Sequence, residues 1–196
     1  MSPSTRSSRA ERGAARARAI IGAVLMAMFV AAPAVANTPR AVPPLPAAVA
    51  ALAPDLQAKG GGGFTFFGFA VYDGWYWSMH PEWRLDSPFA LDLHYLRKLN
   101  GADIVERTLA EIGKLGLGDA RQRAQWDDAL RRIIPDVAIN DRLTGLFLPP
   151  STVRFFGNGV PIGEIVDPQF ARAFFGVWLD PRTSRADFRQ KLLGLP

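Results

Sequence analysis

The residues able to do chemistry in this chain are few and scattered. There are two histidines, His80 and His94, and no cysteine. The histidines sit in different segments without ligand spacing, so no transition-metal centre is expected. Asp92 and His94 share one strand face, the arrangement of an acid–base couple, but they read better as an exposed charge pair. No Gly-x-Ser-x-Gly elbow is present. Lys59 precedes the run Gly60–Gly63, whereas a phosphate loop needs its lysine after the glycines. That run therefore reads as a flexible lead into the first strand, or as a segment lining a cleft. Asp127-Asp128 and Glu106/Glu111 read as solvated helix faces. The most unusual local composition is aromatic: Trp75, Tyr76 and Trp77, with Trp83 nearby. It suits a core with an amphipathic rim, or the wall of an apolar pocket. No cofactor is expected.

The elements that would position these groups can be read from periodicity. Phe64–Phe67 and Phe69–Trp77 are dense in aromatic and β-branched residues and read as strands. Asp73-Gly74 within the second is either a hairpin turn or a bulge in one long strand. Phe89–Leu96 alternates, with Leu91, Leu93 and Tyr95 on one face and Asp92 and His94 on the other. Two helices follow. Ala102 to about Lys114 carries the stripe Val105, Leu109 and Ile112, and Asp119–Ile134 carries Trp126, Leu130, Ile133 and Ile134. Pro135 stops the second. Arg142–Leu148, Thr152–Phe156 and Val160–Val166 read as strands, with Asn158-Gly159 as a type I′ turn between the last two. Asp167-Pro168 opens a helix as N-cap and first helical residue. A last helix is expected from Ser184, with Asp187 completing a capping-box variant. The sum is an α+β fold, an antiparallel sheet with a helical layer on one face.

The N-terminus reads differently. Arg6, Arg9, Arg12, Arg16 and Arg18 precede the apolar run Ala19–Ala32, and Pro33 and Ala34-Val35-Ala36 follow. This is the layout of a secretory signal peptide over residues 1–36, with cleavage between Ala36 and Asn37. The apolar run is shorter than the roughly 20 residues of a membrane span. No Arg-Arg pair precedes it and no cysteine follows it, which argues against the twin-arginine and lipoprotein routes. An exported, periplasmic protein without a stable membrane span after cleavage is expected. The net charge of +5 is concentrated in this leader, and the rest holds 18 basic and 17 acidic residues. A folded part so balanced is not expected to bind nucleic acid. Residues 37–57 form a Pro/Ala-rich leader with one short helical turn near Ala47–Leu52. Residues 58–196 form the domain, which must hold together through its core without disulfides.

Five phrases in order resemble the bacterial exported branch of the chalcone isomerase-like family. They are Phe67-Gly68-Phe69-Ala70-Val71-Tyr72-Asp73, Ala90-Leu91-Asp92-Leu93-His94-Tyr95-Leu96-Arg97, Asp141-Arg142-Leu143-Thr144-Gly145, Arg154-Phe155-Phe156-Gly157-Asn158-Gly159 and Phe174-Phe175-Gly176-Val177-Trp178-Leu179-Asp180-Pro181-Arg182-Thr183-Ser184. The resemblance implies a long antiparallel sheet under a helical layer with a ligand cleft between them. Enzymes of the family cyclise a chalcone there. Related non-catalytic members hold a fatty acid, with an arginine and a tyrosine on its carboxylate.

The family's catalytic set carries over poorly. The place of its arginine falls near Gly62. The places of its helix Tyr, Lys and Asn fall at Ile104, Arg107 and Glu111, and that of its strand threonine near Asp73. Losing one preorganised donor to an oxyanion costs about 3 kcal/mol or more, so chalcone cyclisation is not expected. The resemblance therefore implies a non-catalytic domain that takes a small apolar or fatty-acid-like ligand or a protein partner. Arg107 would meet an acidic head group, and Asp73, Tyr72 and Trp126 would line the cleft. The alternative is an isomerase or lyase acting on an unsaturated carbonyl compound, with Tyr72 or Tyr95 as acid and Arg107 as the electrostatic group. A third reading is a structural envelope protein. No catalytic residue and no metal ligand is assigned.

Overall fold

The computed structural model describes residues 41–196. The signal sequence and its cleavage site at Ala36/Asn37 lie outside the described residues. The chain runs α1 (Ala47–Leu52), β1 (Gln57–Phe66), β2 (Phe69–Ser78), β3 (Phe89–Tyr95), α2 (Gly101–Lys114), α3 (Ala120–Ile133), β4 (Arg142–Leu148), β5 (Thr152–Gly157), β6 (Val160–Val166), α4 (Pro168–Leu179) and α5 (Ala186–Leu193). All six strands form one antiparallel meander in the order β1-β2-β3-β4-β5-β6. This is the expected α+β fold. Among the described residues no helix is long and apolar enough to cross a membrane.

Strand alternation decides what each face of the sheet carries. Tyr72, Tyr76, Phe89, Leu91, Leu93, Tyr95, Phe147, Val153 and Phe155 belong to the large core beneath the helices. The helices answer with Val105, Ile112, Trp126, Leu130, Phe170, Phe174, Phe175 and Phe188. The rings of Phe89, Phe147, Phe174 and Phe175 meet edge-on or tilted at 4.6–6.4 Å, the spacing aromatic quadrupoles favour. The opposite face carries a second cluster. Val49, Ala53 and Leu56 pack there against Trp75, Trp77, Ala90, Leu146 and Phe156. The helical turn expected in the Pro/Ala stretch is thus present as α1, and the stretch packs onto the sheet.

Capping explains where two helices start. Asp119 and Gln122 form a reciprocal capping box at α3. Asp167 Oδ1 accepts from the backbone N–H groups of Gln169 and Phe170, with Pro168 at the first helical position of α4. The capping box expected at Ser184 does not form. Arg185 holds the N-cap position of α5 without a side-chain bond, and Ser184 Oγ instead donates to Glu111 Oε2 at 2.6 Å.

Two local readings are corrected. The glycine run is neither a flexible lead-in nor a cleft lining, because it is the middle of β1. A Cβ on Gly60 would stand 2.2 Å from the Lys191 carbonyl oxygen, and one on Gly61 would stand 2.4 Å from the Trp75 ring. The glycines let α5 lie directly on the strand and give the Trp75 indole room. The hairpin turn is Phe67-Gly68, with φ of 48° and 80°, not Asp73-Gly74. Asp73 and Gly74 lie unbulged inside β2 and pair on both sides. The β1–β2 irregularities fall between Ala58 and Gly60 and between Phe64 and Thr65. Asn158-Gly159, with φ of 50° and 81°, makes the expected turn.

Candidate functional site

A cavity of about 450 Å³ opens between the sheet and the helices. That volume falls within the range of small-molecule sites. Its floor is Leu93, Tyr72 and Tyr95, its side wall Phe64 and Phe66 of β1, and its roof Ile104 and Thr108 of α2 with Val177 and Trp178 of α4. A smaller hollow of about 40 Å³ lies deeper, between β3–β5 and α2–α4. Leu93, Tyr95, Ile104, Thr108 and Trp178 line both. These residues therefore form a neck between a wide outer chamber and a narrow apolar inner one.

Helical spacing builds the roof. Ile104, Arg107, Thr108 and Glu111 recur at three- and four-residue intervals and share one stripe of α2. The adjacent stripe of Val105 and Ile112 is buried in the core. Thr108 Oγ1 donates to the Ile104 carbonyl at 2.8 Å, so the hydroxyl is satisfied within the helix.

The floor is polar only through its two phenols. Tyr72 stacks on Phe64 at 4.7 Å and meets Tyr95 edge-on at 5.8 Å. Trp178 Nε1 donates to Tyr72 Oη at 2.9 Å. Among the described residues the Tyr95 hydroxyl makes no hydrogen bond, and its residue lines both hollows. Burial pushes both phenols well above the ordinary tyrosine value, and the Trp178 bond offsets only part of this at Tyr72. Both stay protonated at neutral pH. They can donate a hydrogen bond, but neither is poised to take up or release a proton in a reaction.

Charge is confined to the mouth. Arg107 Cζ lies 4.0 Å above the Phe66 ring and Arg185 Cζ 4.6 Å above Phe64. Arg97 and Lys114 complete the cations of the lining, and Asp103 and Glu111 are its acids. Burial alone would raise the Glu111 carboxyl. Hydrogen bonds from Lys114 and Ser184 outweigh it and hold the group below its ordinary value. Glu111 is therefore not a simple solvated helix residue. Arg107 makes no salt bridge among the described residues. Arginine on a ring face keeps its N–H edge free for an incoming anion.

Of the residues singled out from the sequence, Tyr72, Tyr95 and Arg107 meet in this cavity. Trp126 does not. Its indole Nε1 donates to Asp167 Oδ2 at 2.9 Å, and its ring packs edge-on against Phe170, tying α3 to the start of α4. Asp73 does not line it either. It is buried and alternates with Tyr72 and Gly74, which puts it on the other sheet face, opposite His94 in register. Ile104, Arg107 and Glu111 all reach the cavity, but Gly62 lies beneath the Lys191 side chain. The aromatic run divides: Tyr76 joins the helix-side core, and Trp75 and Trp77 join the opposite cluster. None of the three lines the hollow.

Asp92 and His94 are not an exposed pair. Asp92 is fully buried and accepts from Arg142 Nε (2.7 Å) and Nη2 (2.6 Å) and from Thr144 Oγ1 (2.7 Å), with His94 Nε2 at 3.0 Å. Burial would raise its carboxyl, but these partners hold it below the ordinary carboxylate value. Arg142 Nη2 also donates to the Pro44 carbonyl, clasping the N-terminal stretch.

Residues 46–194 match the chalcone isomerase-like family, and the chain belongs to it. A Haemophilus influenzae protein described as uncharacterized is 27% identical over 139 residues, 70% of this chain and 68% of its own length. The fold is similar to the crystal structure of a fatty-acid binding protein from Arabidopsis thaliana. That match has a TM-score of 0.58 and 11% identity and covers 71% of this chain and 87% of the plant one.

Proposed function

We propose that this protein is an exported, non-catalytic carrier or sensor of a small amphipathic acid, a fatty acid or a compound of similar shape. The carrying observation is the cavity itself: apolar and aromatic within, cationic only at its mouth. A carboxylate at Arg107 with a chain running past Tyr95 into the inner hollow satisfies both ends. The free Tyr95 hydroxyl donates to the same head group. Membership of a chalcone isomerase-like family and a fold shared with a fatty-acid binding protein support this reading.

Native mass spectrometry of the purified protein, followed by thermal unfolding with added long-chain fatty acid, tests it. Ligand at a hundred times its Kd adds about 2.7 kcal/mol of stability. Ile104→Trp fills the neck and removes that gain. A protein that stays empty and shows no shift with fatty acids or flavonoids sinks the proposal. Export is tested separately, by N-terminal sequencing of the protein recovered from its producing cell, with Asn37 as the expected first residue.

A second reading, an isomerase or lyase for an unsaturated carbonyl compound, keeps one favourable observation: Tyr95 and Arg107 face the same cavity. It requires turnover that disappears in Tyr95→Phe. Binding without turnover leaves the first reading in place.

A further inference from the structure

The tip of the β1–β2 hairpin carries residues that neither packing nor turn chemistry explains. Phe67 is 86% exposed and Phe69 64%. Phe67 also adopts φ 48°, a conformation normally left to Asn, Asp or Gly in a two-residue turn and unfavourable for a bulky side chain. A phenylalanine held in water at a strained position gains nothing for the fold. The tip is not simply apolar, either. Arg97 Cζ stands 5.5 Å over the Phe69 ring, and Arg107 lies over Phe66, whose ring is 4.4 Å from that of Phe67. Lys98 is exposed next to Arg97. Two protruding rings flanked by cations thus stand at the mouth of the ligand cavity.

We propose that this hairpin tip docks the protein on an anionic lipid bilayer, with Phe67 and Phe69 in the headgroup region and Arg97 and Lys98 on lipid phosphates. Aromatic rings favour the membrane–water interface, and an apolar face there sinks about 5–10 Å. Each nearby cation strengthens attraction to anionic lipid about fivefold. A protein partner fits less well. A stable protein interface buries about 800 Å² per side, far more than a two-residue turn presents, whereas a narrow wedge suits a deformable lipid surface. Docking there turns the cavity mouth toward the bilayer, so that an acyl ligand passes between lipid and protein without crossing water. This last step rests on the ligand reading; the docking does not.

The absence of cysteine permits a direct test on the full chain. An environment-sensitive fluorophore is attached at Ala70→Cys beside the tip, or at Val160→Cys, an exposed position at the start of β6 on the far edge of the sheet. Vesicles of equimolar phosphatidylglycerol and phosphatidylcholine are then added. Comparing the two singly labelled variants cancels any anchoring through Ala19–Ala32, which both retain. The expected result is a blue shift at Ala70→Cys alone, weakened at least tenfold by Phe67→Asp with Phe69→Asp, and weakened severalfold by Arg97→Glu or by pure phosphatidylcholine. No shift at Ala70→Cys, or an equal shift at Val160→Cys, overturns docking and leaves the tip to a protein partner. Thermal shift by fatty acid in vesicle-free buffer reads the cavity alone. A fatty-acid response without a vesicle response retires the docking and keeps the ligand reading, and the reverse pattern retires the ligand reading and keeps the docking.

Discussion

Arg142 and Arg107 carry the same charge on opposite sides of one sheet and meet opposite environments. Arg142 is committed. It grips the buried Asp92 carboxylate with two hydrogen bonds and holds the Pro44 carbonyl with a third. Arg107 is uncommitted, resting on the Phe66 ring with no salt bridge among the described residues. The difference lies in what alternation and helix spacing place beside each. β3 and β4 set Asp92 opposite Thr144 and two residue pairs from Arg142, which stands opposite His94 on the same face. α2 hangs Arg107 over a hollow, where the nearby Glu111 carboxylate is already bonded to Lys114 and Ser184. One side uses its arginine to close the structure, and the other holds its arginine ready for a ligand.

Mutation should separate the two uses. Arg142→Leu strands a buried carboxylate, and we expect a loss of about 3–5 kcal/mol in urea unfolding, with fatty-acid affinity unchanged in the protein that remains folded. If Arg142→Leu were silent, the solid face would not be the structural one. Arg107→Ala should do the reverse. It removes a charge-assisted contact of about 1.5–3 kcal/mol, a tenfold or greater loss of affinity by titration calorimetry, with no change in the unfolding midpoint. Affinity that survives Arg107→Ala moves the head group to another cation of the rim.

Acid sharpens the comparison. The Asp92 carboxyl is depressed in the fold, so its contribution is complete above the ordinary carboxylate value of about 3.9 and disappears as pH falls through and below it. Unfolding followed from pH 6 to pH 2 should steepen below about pH 4, and Asp92→Asn should flatten that limb. The smallest effect expected is that of Tyr95→Phe. Loss of one hydrogen bond from an uncharged donor to a carboxylate, about 1.5 kcal/mol, should weaken a carboxylate ligand about tenfold. The apolar neck and the protein's stability should be retained.

Much of this architecture was legible in the sequence because local signals agreed. Alternation in Phe89–Leu96, the Asn158-Gly159 turn and Asp167-Pro168 each point to one structure, and each is found. The misreadings arose where a distant neighbour decides. The glycines of β1 look flexible until α5, more than a hundred residues later, is seen lying on them. Asp92 looks exposed until Arg142 and Thr144 arrive from β4. In the site, Tyr72, Tyr95 and Arg107 were legible through the family resemblance. Arg97 and Arg185 were not, because an arginine on a phenylalanine ring leaves no local pattern. Trp126 was misplaced since a helix stripe reveals burial but not which wall of the core it joins.

The placement of α5 has a consequence for how the protein is made. The meander pairs each strand with the one just before it, so hairpins can assemble progressively as the polypeptide emerges. The rim residues Ser184 and Arg185, and the helix resting on β1, are translated after all six strands. A nascent chain halted after Arg182 would own the whole sheet and the α2 and α4 roof, and still lack that part of the rim and the helix on β1. On the proposed reading, this part of the entrance is added only after the scaffold has been committed to its shape.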